Sequence, residues 1–286
     1  TVAGPMPRAL TMPHTHSPIA ITGIGLISPL GNSLSTALAR ARRGESGIRA
    51  YTSDWVDADH DHLRVRVGGT VEDFDPAAIL DRKLAGRHEP AVLYALAAAD
   101  EAMTRAGLGP DLDRDRTGCV IGSGLPGAEL WHRALHASYA AGRPRDIARM
   151  TAVAITGNAA AGQLALRHGL RGPSLGLANA CASGSTAIAV AMDQIRLGRA
   201  DAMVVGGCES SMRTLVTYAS FLDAGMHATT DPIGACSPFA ADRKGFVLAE
   251  GAGMLVLERL DLARARGAHV WGVIMGAAIT NDAYHV

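Results

Sequence analysis

Short apolar runs alternate with alanine-rich segments of helical periodicity along most of the chain, and this alternation restricts the fold more than any other feature. IAITGIGLISPLG reads as a buried strand ending in a glycine-punctuated turn, followed over 33–43 by a helix that Ser33 or Ser35 can cap. PAVLYALAAADEAMTRAGL repeats apolar residues at helical spacing and stops at Gly107. TGCVIGSG is the next strand and ELWHRALHASYAAG the next helix, with a further helix over 152–168. An extended segment over 174–180 leads to a helix over 182–197, closed by Gly198, and then to the strand DAMVVGG. GFVLAEGAGMLVLE reads as two strands joined by a glycine turn, 261–266 as a short helix and HVWGVIMGAAI as a last strand. Continuous apolar strands need cover on both faces. The pattern predicts an α/β fold with a mostly parallel sheet between helix layers.

The chain has 286 residues, enough for one large domain or two ordinary ones, and only 4% are aromatic, which suits close helix-on-sheet packing. Lys+Arg and Asp+Glu both number 27, so no overall field would draw in nucleic acid or an anionic membrane. No apolar run reaches spanning length, so the expectation is a soluble, cytoplasmic protein. Residues 1–17 read as a flexible arm, and 44–87 as a polar excursion over the surface. The four cysteines lie far apart without a CxxC pair, which argues against a zinc ribbon or a disulfide scaffold. His14 with His16, and His60 with His62, lack further ligands at metal spacing and read as solvated loops; no metal or cofactor is expected.

Cys181, in LANACASGSTAIAVA, follows an extended segment and opens a helix. Free N–H groups and the positive end of a helix dipole favour thiolate over thiol, and small neighbours leave room for a substrate. The Cys181 amide would serve as an oxyanion donor to an acyl group on its own sulfur. A buried structural thiol is the competing reading. GSGLPG at 122–127, with Asp146 about twenty residues on, matches a dinucleotide loop, although Pro126 removes one donor. Glu209 and Glu250 read as structural hydrogen-bonders.

ACASG at 180–184, ITGIGLISPLGN, GLRGPS and PFAADRKGFVLAEGAGMLVLE resemble the ordered motifs of β-ketoacyl–acyl carrier protein synthases, over roughly 18–286. The resemblance implies a thiolase-like layered fold and a condensing acyltransferase of fatty-acid or polyketide synthesis. In it Cys181 takes an acyl chain from an acyl carrier protein, and the thioester is attacked by the carbanion of decarboxylating malonyl–carrier protein. It further implies a homodimer or ketosynthase heterodimer, a dimer contact near 151–163, and supporting roles for Asp282 and Phe246.

The family's two catalytic histidines and its later lysine have no counterpart motif here, and His285 is in the wrong context. Ser237, Ala240 and Lys244 also depart from the usual residues. The chain is expected to be the N-terminal portion of a synthase, with the ketosynthase half over 18–266 and the start of a second half over 267–286. Alone it is expected to be inactive in condensation. The alternative is a non-catalytic scaffold subunit, which has no need of a reactive thiol.

Overall fold

A computed structural model of the chain describes residues 17–51, 67–109, 112–140, 142–147, 149–214, 217, 220, 231–243 and 245–284. The proposed arm up to residue 16, both histidine pairs, Lys244 and His285 lie outside them. In chain order the elements are β1 (Ile19–Ile27), α1 (Leu34–Arg42), β2 (Arg49–Ala50), β3 (Val67–Gly68), α2 (Arg82–Ala85) and α3 (Pro90–Ala106). There follow β4 (Thr117–Gly122), α4 (Ala128–Leu135), α5 (Thr151–Ala154), α6 (Ala159–His168), β5 (Ser174–Leu177) and α7 (Ser183–Arg196). The last are β6 (Ala202–Glu209), β7 (Gly251–Arg259), α8 (Leu260–Ala265) and β8 (Gly272–Ile274).

Six strands form one sheet in the order β5-β4-β6-β7-β1-β8. β4 is parallel to both β5 and β6, β7 is antiparallel to β6 and to β1, and β8 is antiparallel to β1. β5, β4, β6 and β1 thus share one direction, as expected, while β7 and β8 oppose them. Strand residues alternate between two cores, as the two-residue period of a strand requires. Cys119, Ile121, Val204 and Val256 face α3 and α6, while Val120, Met203, Val205 and Leu257 face α7.

The α3 contact is unusually close because β1 carries glycine where the helix crosses. A Cβ on Gly23 would lie 2.0 Å from the Ala102 carbonyl oxygen, and one on Gly25 1.8 Å from that of Ala98. Ala98, Ala99 and Ala102 answer with the smallest side chains a helix can carry, all fully buried. α1 is capped by Ser33, whose Oγ accepts from the Thr36 N–H, and α3 ends at Gly107 in the left-handed region.

The stretch 44–87, expected as a surface excursion, contains β2, β3 and α2 with Val67 and Val71 buried, and α4 ends at Leu135, short of the expected helix. Three further differences each have a tertiary reason. The helix over 152–168 is split into α5 and α6 by residues 155–158. Those residues are wedged between neighbours: Ile155 lies against Gly127, and the Gly157 carbonyl lies against Gly176 of β5. GFVLAEGAGMLVLE forms one strand rather than a pair. Leu248 and Glu250 bond instead to Gly69, whose N–H donates to the Leu248 carbonyl and whose carbonyl accepts from Glu250 N–H. The last strand is only Gly272–Ile274, since Ile274 pairs with Ile19 and β1 begins there, leaving the ladder no further partner.

Gly25→Ala is expected to destabilise the fold by roughly 3 kcal/mol, because the Ala98 backbone cannot yield as a flexible side chain would. Gly109→Ala, with nothing within 4 Å of its Cβ, should stay within about 0.5 kcal/mol of wild type by urea denaturation.

Candidate functional site

β5 ends at Leu177, and the four residues before α7 make a tight turn with Cys181 near its apex. Ala180 adopts φ 45°, a left-handed conformation that costs an alanine about 1 kcal/mol and is retained only where surroundings enforce it. Ser183 supplies the enforcement. Its Oγ accepts from Asn179 N–H at 2.8 Å and donates toward the Ala180 carbonyl at 2.7 Å, with the Ser123 carbonyl at 3.2 Å. Asn179 Nδ2 donates to Thr186 Oγ1 at 3.0 Å, tying the turn to the first turn of α7.

α7 can start this low because the sheet beneath it is bare. A Cβ on Gly122, the last residue of β4, would lie 2.4 Å from the Ser183 carbonyl carbon, and one on Gly207 3.2 Å from Gly184 Cα. Cys181 itself is exposed, two residues ahead of the first residue of α7, so the expected position at a helix start is realised.

A cavity of about 630 Å³ opens at this point. Its walls are the ends of β1 (Leu26, Ile27) and β4 (Gly122), the 123–125 loop, the Cys181 turn with the start of α7, the end of β6 (Gly207, Cys208, Glu209), and residues 248–253. Its surface is mainly apolar, with Leu26, Ile27, Leu125 and Leu248 among the lining residues, which suits an alkyl group. Two cysteines line it. Cys208 is buried, and burial together with the charges of Glu209 and Glu89 pushes its thiol well up, so it stays protonated. Cys181 is the exposed one.

Among the described residues the cavity lining includes no histidine. Phe246 is half-buried two residues before Leu248 and is not part of the lining. Asp282 is exposed beyond β8, where its Oδ1 accepts from Tyr284 N–H at 3.2 Å, and the structure does not bring it to the cavity.

The GSGLPG loop has no amide to offer a phosphate. Ser123 N–H donates to the Leu177 carbonyl, Gly124 and Leu125 donate to Glu209 Oε2 at 3.0 and 3.1 Å, and Gly127 donates to Glu89 Oε1 at 2.8 Å. Pro126 has no N–H. Two carboxylates occupy the role a pyrophosphate would fill, which removes the dinucleotide reading. Glu209 and Glu250 act as hydrogen-bonders: the buried Glu250 accepts from Val71 N–H and is gripped by both Nε and Nη2 of Arg213. Sequence reasoning missed Glu89 and Ser183. The only sequence signal for Glu89 was an acidic residue directly before Pro90 at a helix start.

Glu89 is 5% exposed, and burial, reinforced by the charges of Glu209 and Glu129, raises it to about 7 against the bond from Gly127. Between pH 4.5 and about 7 the folded chain therefore holds a proton that the unfolded chain has released, and stability falls as pH rises through that window. Glu89→Gln keeps an acceptor for Gly127 and removes the charge. Its urea midpoint should vary less with pH than that of wild type over this range, and at pH 8 it should be more stable by on the order of 2 kcal/mol.

A model for the family described as "Beta-ketoacyl synthase, N-terminal domain" matches residues 16–263. The 3-oxoacyl-[acyl-carrier-protein] synthase 2 of Rhizobium meliloti (strain 1021) is 37% identical over 278 residues, covering 94% of this chain and 65% of that protein. Its counterpart in Staphylococcus aureus (strain N315) is 36% identical over 270 residues, covering 94% and 64%. The chain thus spans less than two thirds of the length of these relatives. Among solved structures, a type II PKS acyl-carrier protein in complex with its ketosynthase bound to the hexaketide matches with TM-score 0.81 and 28% identity, over 94% of this chain and 64% of that one. A Beta-ketoacyl synthase from Burkholderia phymatum STM815 matches with TM-score 0.81 and 28% identity, over 94% and 65%.

Proposed function

Given that the chain belongs to the beta-ketoacyl synthase family through its N-terminal domain, we propose that it carries the acyl-accepting half of a decarboxylative condensation in fatty-acid or polyketide synthesis. The observation that carries this is the exposed thiol of Cys181 at a strained turn before α7, facing an apolar cavity. The Cys181 thiolate attacks the carbonyl of an acyl thioester borne by an acyl carrier protein. The bond from carbonyl carbon to the carrier sulfur breaks, and the carrier leaves as a thiolate, which takes up from water the proton that Cys181 gave to water on ionising. The acyl chain is then held on Cys181 Sγ for attack by the carbanion that malonyl–carrier protein yields on losing carbon dioxide. A thiolate suits both halves, as nucleophile and then as leaving group.

No histidine of the described residues reaches the cavity, so we assign the decarboxylation step to groups beyond those described here. We take 18–266 as the N-terminal half, in keeping with a family match that stops at residue 263, and 267–286 as the start of the second. Phe246 is assigned to the outer wall next to Leu248; Asp282 receives no part in acyl transfer.

A dimer is also part of this reading. β5 is an edge strand with Leu175 exposed, and Trp131, Leu135, Tyr139, Met150 and Val153 are exposed on and beside α4 and α5. An open edge beside apolar side chains invites a second copy.

Incubation with an octanoyl thioester donor should add one octanoyl mass to the wild-type chain and none to Cys181→Ser at the same time point. Malonyl–carrier protein should yield no condensation product from this chain alone. Iodoacetamide should modify Cys181 about tenfold faster than Cys236, which is also exposed but has no helix behind it. Equal rates and no acylation would favour the scaffold subunit. By sedimentation, wild type should run as a dimer and Leu175→Lys as a monomer.

A further inference from the structure

Glu209, the last residue of β6, does more than neutralise a loop. Its two oxygens each accept from two backbone amides: Oε2 from Gly124 and Leu125, and Oε1 from Ser210 and Ser211, the latter pair at 3.1 Å. One carboxylate thereby fastens the loop after β4 to the segment after β6. The contact continues to the thiol. A Cβ on Gly124 would lie 3.2 Å from Glu209 Oε2 and 3.4 Å from the Ala180 carbonyl oxygen, so Gly124 fills the space between the carboxylate and the Cys181 turn. From the other side, Ser183 Oγ reaches the Ser123 carbonyl at 3.2 Å. Leu125, held by Glu209 through its own amide, lines the cavity and is partly exposed there.

We propose that Glu209 is a positioning residue: its carboxylate fixes the Ser123–Leu125 wall against the Cys181 turn and so determines how well an alkyl chain attached at Cys181 is received. This rests on reading the cavity as the acyl site. Glutamine has the same shape but a single acceptor oxygen. Its NH₂ group would face two N–H donors, so Glu209→Gln must release one pair of amides, and whichever pair is lost the link that holds the loop after β4 to the segment after β6 is broken, while Cys181 stays in place.

The test compares alkylation of Cys181 by N-methylmaleimide and N-octylmaleimide, followed by intact mass. The methyl reagent reads the sulfur alone, while the octyl reagent also reads the wall. In wild type the octyl reagent should react faster. In Glu209→Gln the octyl-to-methyl rate ratio should fall about fivefold, with the methyl rate unchanged within about twofold. Gly124→Ala crowds the same contact from the loop side and should lower the ratio too, which keeps the test decisive if Glu209→Gln fails to fold. A wild-type ratio near one, an unchanged ratio in the variants, or an equal fall with both reagents would overturn the proposal. No acyl transfer is needed, so failure of Cys181 to accept an octanoyl group would count against the proposed function and not against this assignment.

Discussion

Backbone-to-backbone contact between helix and sheet, made where the strands lack side chains, is the constraint on which the rest depends. Gly23 and Gly25 admit α3 on one face, and Gly122 and Gly207 admit the start of α7 on the other. Ordinary helix-on-sheet packing is mediated by side chains that interdigitate across the layer. Here the spacing collapses locally to main-chain atoms, so helix positions are set by hard contacts that cannot adjust by rotamer change. The Cys181 turn inherits that rigidity, because Ser183, the first residue of α7, rests directly on Gly122.

A second device works with the first. Buried or half-buried carboxylates serve as acceptors for loop amides, and an unpaired buried N–H is costly. Glu89 takes Gly127, Glu209 takes four amides, and Glu250 takes Val71 and Arg213. Clustering acids this way carries a penalty, visible in the raised titration of Glu89 and Glu129, for which burial is the largest cause.

The cavity also separates its two sulfurs by environment. Cys208 faces the α3 layer and is kept neutral by burial and nearby negative charge, whereas Cys181 stands at the mouth of a helix in contact with solvent. Proximity to the cavity alone would not choose between them; the burial and neighbouring carboxylates of Cys208, against the exposure of Cys181, do.

The order of elements, the two-sided burial of the strands and the placement of Cys181 ahead of a helix were legible in the sequence. They follow from periodicity and from local turn chemistry within a few residues. The split between α5 and α6, the single run of β7 and the brevity of β8 were not, because each is decided by a partner distant in sequence: Gly176, Gly69 and the start of β1. The same holds for the GSGLPG loop, whose pattern was compatible with a phosphate until Glu89 and Glu209 were found on its amides. By itself the sequence determined which segments could be buried and which residue could be a nucleophile. Only the tertiary structure decided what each buried polar group meets, because hydrogen-bond partners across a core are fixed by packing geometry and not by spacing along the chain.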